Sequence, residues 1–147
     1  MKFYSLTVSK IERFNADSLA ISLTIPDALR SIFCFEPGQY ITFSHSVEGE
    51  EIRRSYSIAS TPSDEIITVG VKEVANGMFS SYANRALKEG DVLRVAAPEG
   101  GFVLDKQAGS ILAIGAGSGI PPLLSIIKVA LSDNPDVKVG LIYGNQR

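Results

Sequence analysis

The segment Arg54-Ser55-Tyr56-Ser57 places a cation, an aromatic ring and two serine hydroxyls within four residues. The surrounding residues predict a strand, in which alternate side chains point to opposite faces. A guanidinium binds phosphate, an aromatic ring stacks on a flat heterocycle, and a hydroxyl can hydrogen-bond the edge of that heterocycle. Together these groups suit a flavin nucleotide, although an ordinary surface strand has a similar composition.

A second candidate phosphate site is the turn Asn76-Gly77, which precedes a predicted helix. Apolar residues between positions 78 and 87 recur at spacings of three and four, and Gly90 is expected to close the helix. Free backbone N–H groups and the helix dipole attract anions at such a start, and Ser80 adds a hydroxyl. Because every helix has such a start, an ordinary N-terminus is the alternative interpretation.

The glycine-rich segment Gly115-Ala116-Gly117-Ser118-Gly119 is a third candidate. It follows an apolar strand at 111–114 and precedes a helix over about 122–131 and a strand at 137–143, which together form one β-α-β unit. Backbone amides in such a loop can approach a pyrophosphate. The glycine spacing differs from the usual dinucleotide fingerprint, so a turn built only for close strand–helix packing is the alternative.

These candidates lie on two kinds of structure. Period-two alternation predicts six strands before residue 100, with the helix at 78–87 between the fifth and the sixth. The predicted fold is therefore mainly β: a six-stranded antiparallel barrel with one helix over residues 1–106, then a partial α/β, Rossmann-like unit over 107–147. One helix cannot cover both faces of a parallel sheet, so we expect an excerpt of a longer protein or a covering chain, as in a homodimer.

Composition narrows the function classes. The chain has 147 residues, 45% of them hydrophobic, and a net charge of -2. It shows no basic excess for nucleic acid, no apolar run of membrane-spanning length and no signal-peptide pattern, which predicts a soluble, cytoplasmic protein. The single Cys34 excludes a disulfide framework or a four-thiolate iron–sulfur cluster. The single His45 predicts a solvent-facing strand residue and no metal site.

Taken in order, seven segments resemble the ferredoxin-NADP reductase family, and most closely the reductase components of bacterial oxygenases, which join a flavin barrel to a pyridine-nucleotide domain. The segments are Pro37-Gly38-Gln39-Tyr40, Arg54-Ser55-Tyr56-Ser57, Val71-Lys72, Gly77-Met78-Phe79-Ser80, Pro98-Glu99-Gly100-Gly101-Phe102, Gly115-Ala116-Gly117-Ser118-Gly119-Ile120-Pro121-Pro122 and Tyr143-Gly144-Asn145. Their ordered spacing covers nearly the whole chain.

The resemblance implies roles for the central segment. Arg54 would bind the flavin phosphate or pyrophosphate, with Ser55 beside it in the cofactor site. Tyr56 would stack against the isoalloxazine, and Ser57 would hydrogen-bond near flavin N5, where hydride arrives. Tyr56 and Ser57 would thus be the catalytic residues. Backbone groups around the segment Val71-Lys72 would lie along the cofactor.

The resemblance also assigns the two glycine-containing turns. The segment Gly77-Met78-Phe79-Ser80 would complete the pyrophosphate site, and Gly117, Ser118 and Gly119 would form the edge of the nicotinamide-nucleotide site. One departure concerns Pro121, where relatives commonly have threonine. A hydroxyl and an N–H that could touch the nucleotide are therefore absent.

The predicted function is that of a flavin-dependent oxidoreductase. NADPH or NADH would give a hydride to bound FAD, and electrons would pass to a ferredoxin-type or oxygenase acceptor. FAD is favoured over FMN because Arg54 and the helix start provide for two phosphates, whereas NAD and NADP are not distinguished. Two alternatives are a flavin-binding module or fragment without turnover of its own and a bare barrel that binds no flavin. No nucleic-acid or membrane partner is predicted.

Overall fold

The computed structural model describes residues 1–47, 49–105 and 108–144, with Ser118 described only through its backbone. These ranges contain eight strands and two α-helices, together with three short 3-10 turns at 27–29, 62–64 and 117–119. In chain order the strands and helices are β1 (Phe3–Arg13), β2 (Ser18–Thr24), β3 (Tyr40–Val47), β4 (Glu50–Ser57), β5 (Ile66–Lys72), α1 (Met78–Arg85), β6 (Val92–Ala96), β7 (Ser110–Ala116), α2 (Ile120–Asp133) and β8 (Lys138–Gly144).

Strands β1 to β6 form one antiparallel sheet in the order β4-β3-β6-β1-β2-β5. The sheet curls until its two edge strands meet, at an isolated bridge between Ile58 and Val69. Beside this bridge the Ala59 N–H donates to the Thr68 carbonyl at 2.8 Å. Curling of this kind leaves little unpaired strand edge. The predicted six-stranded, mainly β barrel is confirmed, and β4 and β5 lie next to each other at its seam.

The barrel interior is filled by the alternate side chains that the sequence pattern predicts. Leu6 and Val8 of β1, Ile21 of β2 and Val69 of β5 are all buried, as is Phe79 from α1. Burial of each such side chain stabilises the fold by about 1.5–3 kcal/mol. This packing fixes the edge strands and α1 against one another.

Helix α1 is shorter than its apolar periodicity predicts. It ends at Arg85, and the Ala86 N–H bonds to the Tyr82 carbonyl as the chain leaves the helix. Leu87 is buried in the turn that follows, so the apolar pattern continues beyond the helix end. Gly90, with φ of 92°, lies in a later turn and donates its N–H to the Val8 carbonyl. The prediction that Gly90 closes the helix is therefore wrong.

Strands β7 and β8 are parallel and joined by α2, which is the predicted β-α-β unit. The helix starts at Ile120, earlier than predicted. Pro121 and Pro122 fit in its first turn because N–H groups there have no partner inside the helix, so a residue without an N–H loses no hydrogen bond. One sheet face packs on α2 and the other stays open, with Leu112 65% and Ile114 66% exposed. The predicted domain boundary, between residues 106 and 107, lies outside the described residues.

Helix α2 also packs on the barrel. Ser125 is fully buried, and its hydroxyl donates to the Ser60 carbonyl at 2.6 Å. This contact holds the glycine loop that precedes α2 next to β5. No helix in the described ranges has the length and apolar character needed to cross a membrane.

Candidate functional site

A cavity of about 370 Å³ opens between β4, β5 and the start of α1, and we call it the first cavity. It collects most of the residues predicted to bind the flavin. Those residues are Arg54, Ser55, Tyr56, Ser57, Lys72, Gly77, Phe79 and Ser80. These residues come from segments about twenty positions apart in sequence. They share one cavity because β4 and β5 lie side by side at the seam of the barrel.

Two cations of the first cavity, Arg54 and Lys72, are exposed and make no ion pair with any described residue. Arg54 donates one hydrogen bond, from Nη1 to the Arg53 carbonyl at 2.7 Å. Arg53, in contrast, pairs with Glu51 at 2.8 Å and lies over the Phe3 ring. Cations that lack a counter-ion at a cavity suit an anionic ligand.

The Tyr56 ring is held in place by other aromatic rings. Its centroid lies 5.6 Å from that of Phe79 and 5.8 Å from that of Phe43, and these two buried rings stack at 4.8 Å. Burial raises the pKa of the Tyr56 hydroxyl, and the Arg54 charge offsets part of the rise. Tyr56 therefore presents a neutral, rigid ring, which suits stacking on a flat ligand.

The two serines that flank Tyr56 differ in their bonding. The Ser55 hydroxyl is 2.9 Å from that of Thr42 on β3 and is hydrogen-bonded to it. The Ser57 hydroxyl has no hydrogen-bond partner among the described residues and lines the first cavity. Of the two, Ser57 is thus the hydroxyl that a ligand can engage.

A Cβ on Gly77, in the turn before α1, would crowd its neighbours. The Ser80 hydroxyl donates to the Gly77 carbonyl at 3.2 Å and accepts from the Val74 N–H at 3.3 Å. A Cβ on Gly77 would overlap the Ser80 hydroxyl and lie 2.6 Å from a Val74 methyl. No described side chain caps α1, so its first amides are available to a ligand phosphate.

His45 differs from its predicted position. It is half-buried, because α1 packs over β3 and the imidazole stacks on Tyr82 with centroids 4.0 Å apart. This burial lowers the pKa of His45. The prediction of a solvent-facing residue is therefore wrong. In the part of the chain that the structure describes, no group of side chains could hold a metal ion.

A second cavity of about 260 Å³ adjoins the first. Both are lined by Gly70, Lys72 and Pro121. A Cβ on Gly70 would lie 3.3 Å from Cγ of Pro121, so β5 and the start of α2 nearly touch where the cavities meet. We call Gly70 and Pro121 the shared wall. The second cavity is also lined by Gly117 and by Tyr143, whose hydroxyl donates to the Gly117 carbonyl at 3.1 Å.

The remaining predicted residues lie elsewhere. Val71 lines the second cavity while its side chain is 1% exposed and belongs to the barrel core. Met78 is 40% exposed and, like Gly119, lines neither cavity. The side chain of Ser118 lies outside the described residues. The structure therefore divides the predicted set between two adjoining cavities.

Sequence reasoning did not find the shared wall. A glycine inside a strand often marks a close approach of another segment, so Gly70 carried a usable signal. Pro121 was noted only as a departure from the family pattern. Val74 and Phe14, which line the first and second cavities respectively, carried no signal in the sequence.

The first cavity suits a ligand that is both flat and anionic, as a flavin nucleotide is. Residues 5–104 match the model of the oxidoreductase FAD-binding domain. The chain belongs to this family. The predictions of a ferredoxin reductase-type protein and of FAD as its cofactor are thereby confirmed.

Relatives and a solved structure agree with this assignment. The chain is 42% identical to one of the subunits of 1,2-phenylacetyl-CoA epoxidase from Escherichia coli, over 98% of this chain and 41% of that protein. It is 37% identical to the ferredoxin reductase component of 3-ketosteroid-9-alpha-monooxygenase from Rhodococcus rhodochrous, over 96% and 40%. The chain therefore spans about two fifths of the length of these curated relatives.

Among solved structures, phthalate dioxygenase reductase superposes with a TM-score of 0.81 at 27% identity, over 99% of this chain and 44% of that one. That protein is described as a modular structure for electron transfer from pyridine nucleotides to [2Fe-2S]. The superposition extends through the β-α-β unit as well as the barrel.

Proposed function

We propose that this chain is the flavin-binding part of an NAD(P)H-dependent flavoprotein reductase. Hydride would come from NADPH or NADH, and electrons would leave to a ferredoxin-type or oxygenase acceptor. The observation that carries this proposal is the first cavity, where Arg54 and Lys72 face the solvent without a counter-ion among the described residues, beside the rigid ring of Tyr56.

In this proposal each group of the first cavity has one role. Arg54 and the amides at the start of α1, next to Gly77, bind the phosphates of FAD. Tyr56 stacks on the flavin ring, and the hydroxyl of Ser57, which no described residue engages, hydrogen-bonds the edge of that ring. When bound, FAD supplies the chemistry of accepting a hydride and releasing electrons singly. Tyr56 and Ser57 are the catalytic residues because they touch the reacting ring.

The second cavity is proposed to hold the pyridine nucleotide. Gly117, at the start of the glycine loop, lines this cavity together with the shared wall, so a nucleotide there would be a close neighbour of the flavin. Hydride transfer depends on such proximity. Pro121 offers neither an N–H nor a hydroxyl, so the polar contacts would come from Lys72, the loop backbone and polar side chains such as those of Asn15 and Ser18.

The proposal also covers the domain organisation of the chain and its electron acceptor. Residues 1–106 would form the flavin domain and 107–147 the first part of a nucleotide-binding domain. The acceptor is assigned from relatives, which include one subunit of an epoxidase and a reductase component of a monooxygenase. An oxygenase or its ferredoxin is accordingly the proposed partner.

A second candidate function is a flavin-binding module without turnover of its own. The open face of the β7–β8 sheet favours it, since Leu112 and Ile114 are about two thirds exposed. Within the described residues the nucleotide site rests on two strands and one helix, and poor positioning of a nucleotide slows hydride transfer.

A visible absorbance spectrum, followed by anaerobic addition of NADPH and then NADH, separates these functions. The reductase proposal expects flavin bands that bleach promptly with one nucleotide or both. Flavin bands that persist would favour the module. A chain that takes up neither FAD nor FMN on reconstitution would overturn the assignment of the first cavity.

The Gly77→Ala variant is expected to bind FAD about fivefold more weakly, since an added methyl in a filled site costs about 1 kcal/mol. The effect is moderate because the two nearest atoms, in the Ser80 hydroxyl and a Val74 methyl, belong to side chains, and the Val74 carbonyl oxygen at 3.0 Å needs to shift only slightly. Affinity is measured by titrating FAD into the apoprotein and following flavin fluorescence. Gly101→Ala is the control, since its Cβ would meet no atom of the described residues within 4 Å. Equal affinity in both variants would contradict a tight turn at Gly77.

A further inference from the structure

Phe14 is an aromatic residue at the β1–β2 turn with no explained role in the fold. Its side chain is 64% exposed, and no ring contact joins it to another described aromatic residue. Single exposed apolar side chains are common and by themselves indicate nothing. The position of this ring is informative, because Phe14 lines the second cavity.

The backbone beneath Phe14 is well fixed. The Phe14 N–H donates to the Ser18 carbonyl at 2.9 Å, and the side chain of Asn15 accepts from the Asp17 N–H at 3.1 Å. The Asp17 carbonyl in turn accepts from the Glu73 N–H at 2.6 Å, which ties the turn to the end of β5. The turn therefore holds the Phe14 backbone at a set position relative to β5.

The second cavity combines three chemical features. Phe14 and Tyr143 supply aromatic surface, and Lys72 supplies a cation that no described carboxylate neutralises. The adjacent Glu73 is already paired with Arg85 at 2.7 Å. An aromatic surface beside a free cation suits a flat heterocycle that carries phosphate.

We propose that Phe14 is a positioning residue for the nicotinamide half of the pyridine nucleotide, whose flat ring packs against the Phe14 ring in the second cavity. This inference rests on the proposed function. If the flavin occupies the first cavity, the reactive half of the nucleotide must lie next to the shared wall. Lys72 lies at that wall and suits the phosphate that adjoins the nicotinamide ribose.

The test compares Phe14→Ala and Phe14→Tyr with the wild-type chain, all loaded with FAD. Each protein is titrated with NAD⁺, NADP⁺ and ADP-ribose, which lacks the nicotinamide ring, and binding is followed by calorimetry. Phe14→Ala should weaken the binding of the preferred dinucleotide about three- to tenfold, as expected for the loss of one ring contact. ADP-ribose affinity should not change, and Phe14→Tyr should bind as the wild type does.

Phe102→Ala is the matched control, because that ring is 60% exposed and lines neither cavity. Flavin content, read from the absorbance spectrum, checks that each variant is folded. Unchanged dinucleotide affinity in Phe14→Ala, or an equal loss for ADP-ribose, would overturn the role of Phe14 and leave the proposed function standing. A flavin-loaded wild-type chain that binds neither dinucleotide would instead overturn the proposed function, and this inference with it.

Discussion

Replacing Arg54 with alanine is expected to weaken FAD binding by at least tenfold. A hydrogen bond to a charged partner contributes about 1.5–3 kcal/mol, and each 1.4 kcal/mol corresponds to about a factor of ten in affinity. Arg54 is exposed and bonds only to a backbone carbonyl among the described residues, so its removal leaves the barrel packing intact. The dissociation constant is measured by titrating FAD into the apoprotein and following the flavin fluorescence.

Arg53→Ala provides the matched control for this experiment. Arg53 is the preceding residue of β4, where successive side chains point to opposite faces. It pairs with Glu51 and covers the Phe3 ring, away from the first cavity. Its loss should leave FAD affinity within about twofold of the wild type, since exposed ion pairs contribute little. If the two variants lose equal affinity, Arg54 has no specific role in phosphate binding.

Gly38→Ala is expected to lower the free energy of unfolding by about 3 kcal/mol or more. Gly38 has φ of 102°, a conformation that alanine adopts only with strain. Its Cβ would overlap the backbone carbonyl oxygen of Phe102 and lie 3.1 Å from Cδ1 of Ile126. A backbone oxygen cannot rotate away as a side chain can, so the turn at Gly38 and the segment that contains Phe102 must move apart. The measurement is urea denaturation.

The Gly90→Ala variant, measured in the same assay, separates the cost of backbone strain from the cost of steric overlap. Gly90 has a similar φ of 92°, but a Cβ there would meet nothing within 4 Å. The free energy of unfolding should therefore fall only by the cost of the strained backbone conformation, about 1–2 kcal/mol. Equal losses at the two glycines would show that the approach of Phe102 to Gly38 contributes nothing to the cost.

Most of the barrel could be predicted from sequence because each strand carries its own period-two pattern. Ile67, Val69 and Val71, for example, alternate with polar or small residues and are buried as expected. The order of the strands in the sheet could not be predicted in the same way. It depends on pairings between distant segments, such as β1 with β6, which local alternation does not encode.

The candidate site could be predicted only in part for the same reason. The segment Arg54-Ser55-Tyr56-Ser57 carries recognisable chemistry in four adjacent residues, and the structure places it in the first cavity. Phe14 and Pro121 lie more than one hundred positions apart and meet at the second cavity only through folding. His45 was misplaced because nothing in its own strand indicates that Tyr82 of α1 stacks on it.

The shared wall has a consequence for how this protein can evolve. Gly70 and Pro121 border both cavities, so a larger residue at either position narrows both at once. If the first cavity holds the flavin and the second the pyridine nucleotide, as we propose, selection for a different nucleotide cannot act there without disturbing the flavin. Residues that border the second cavity alone, such as Phe14 and Asn15, are the positions at which one ligand site can adapt while the other stays unchanged.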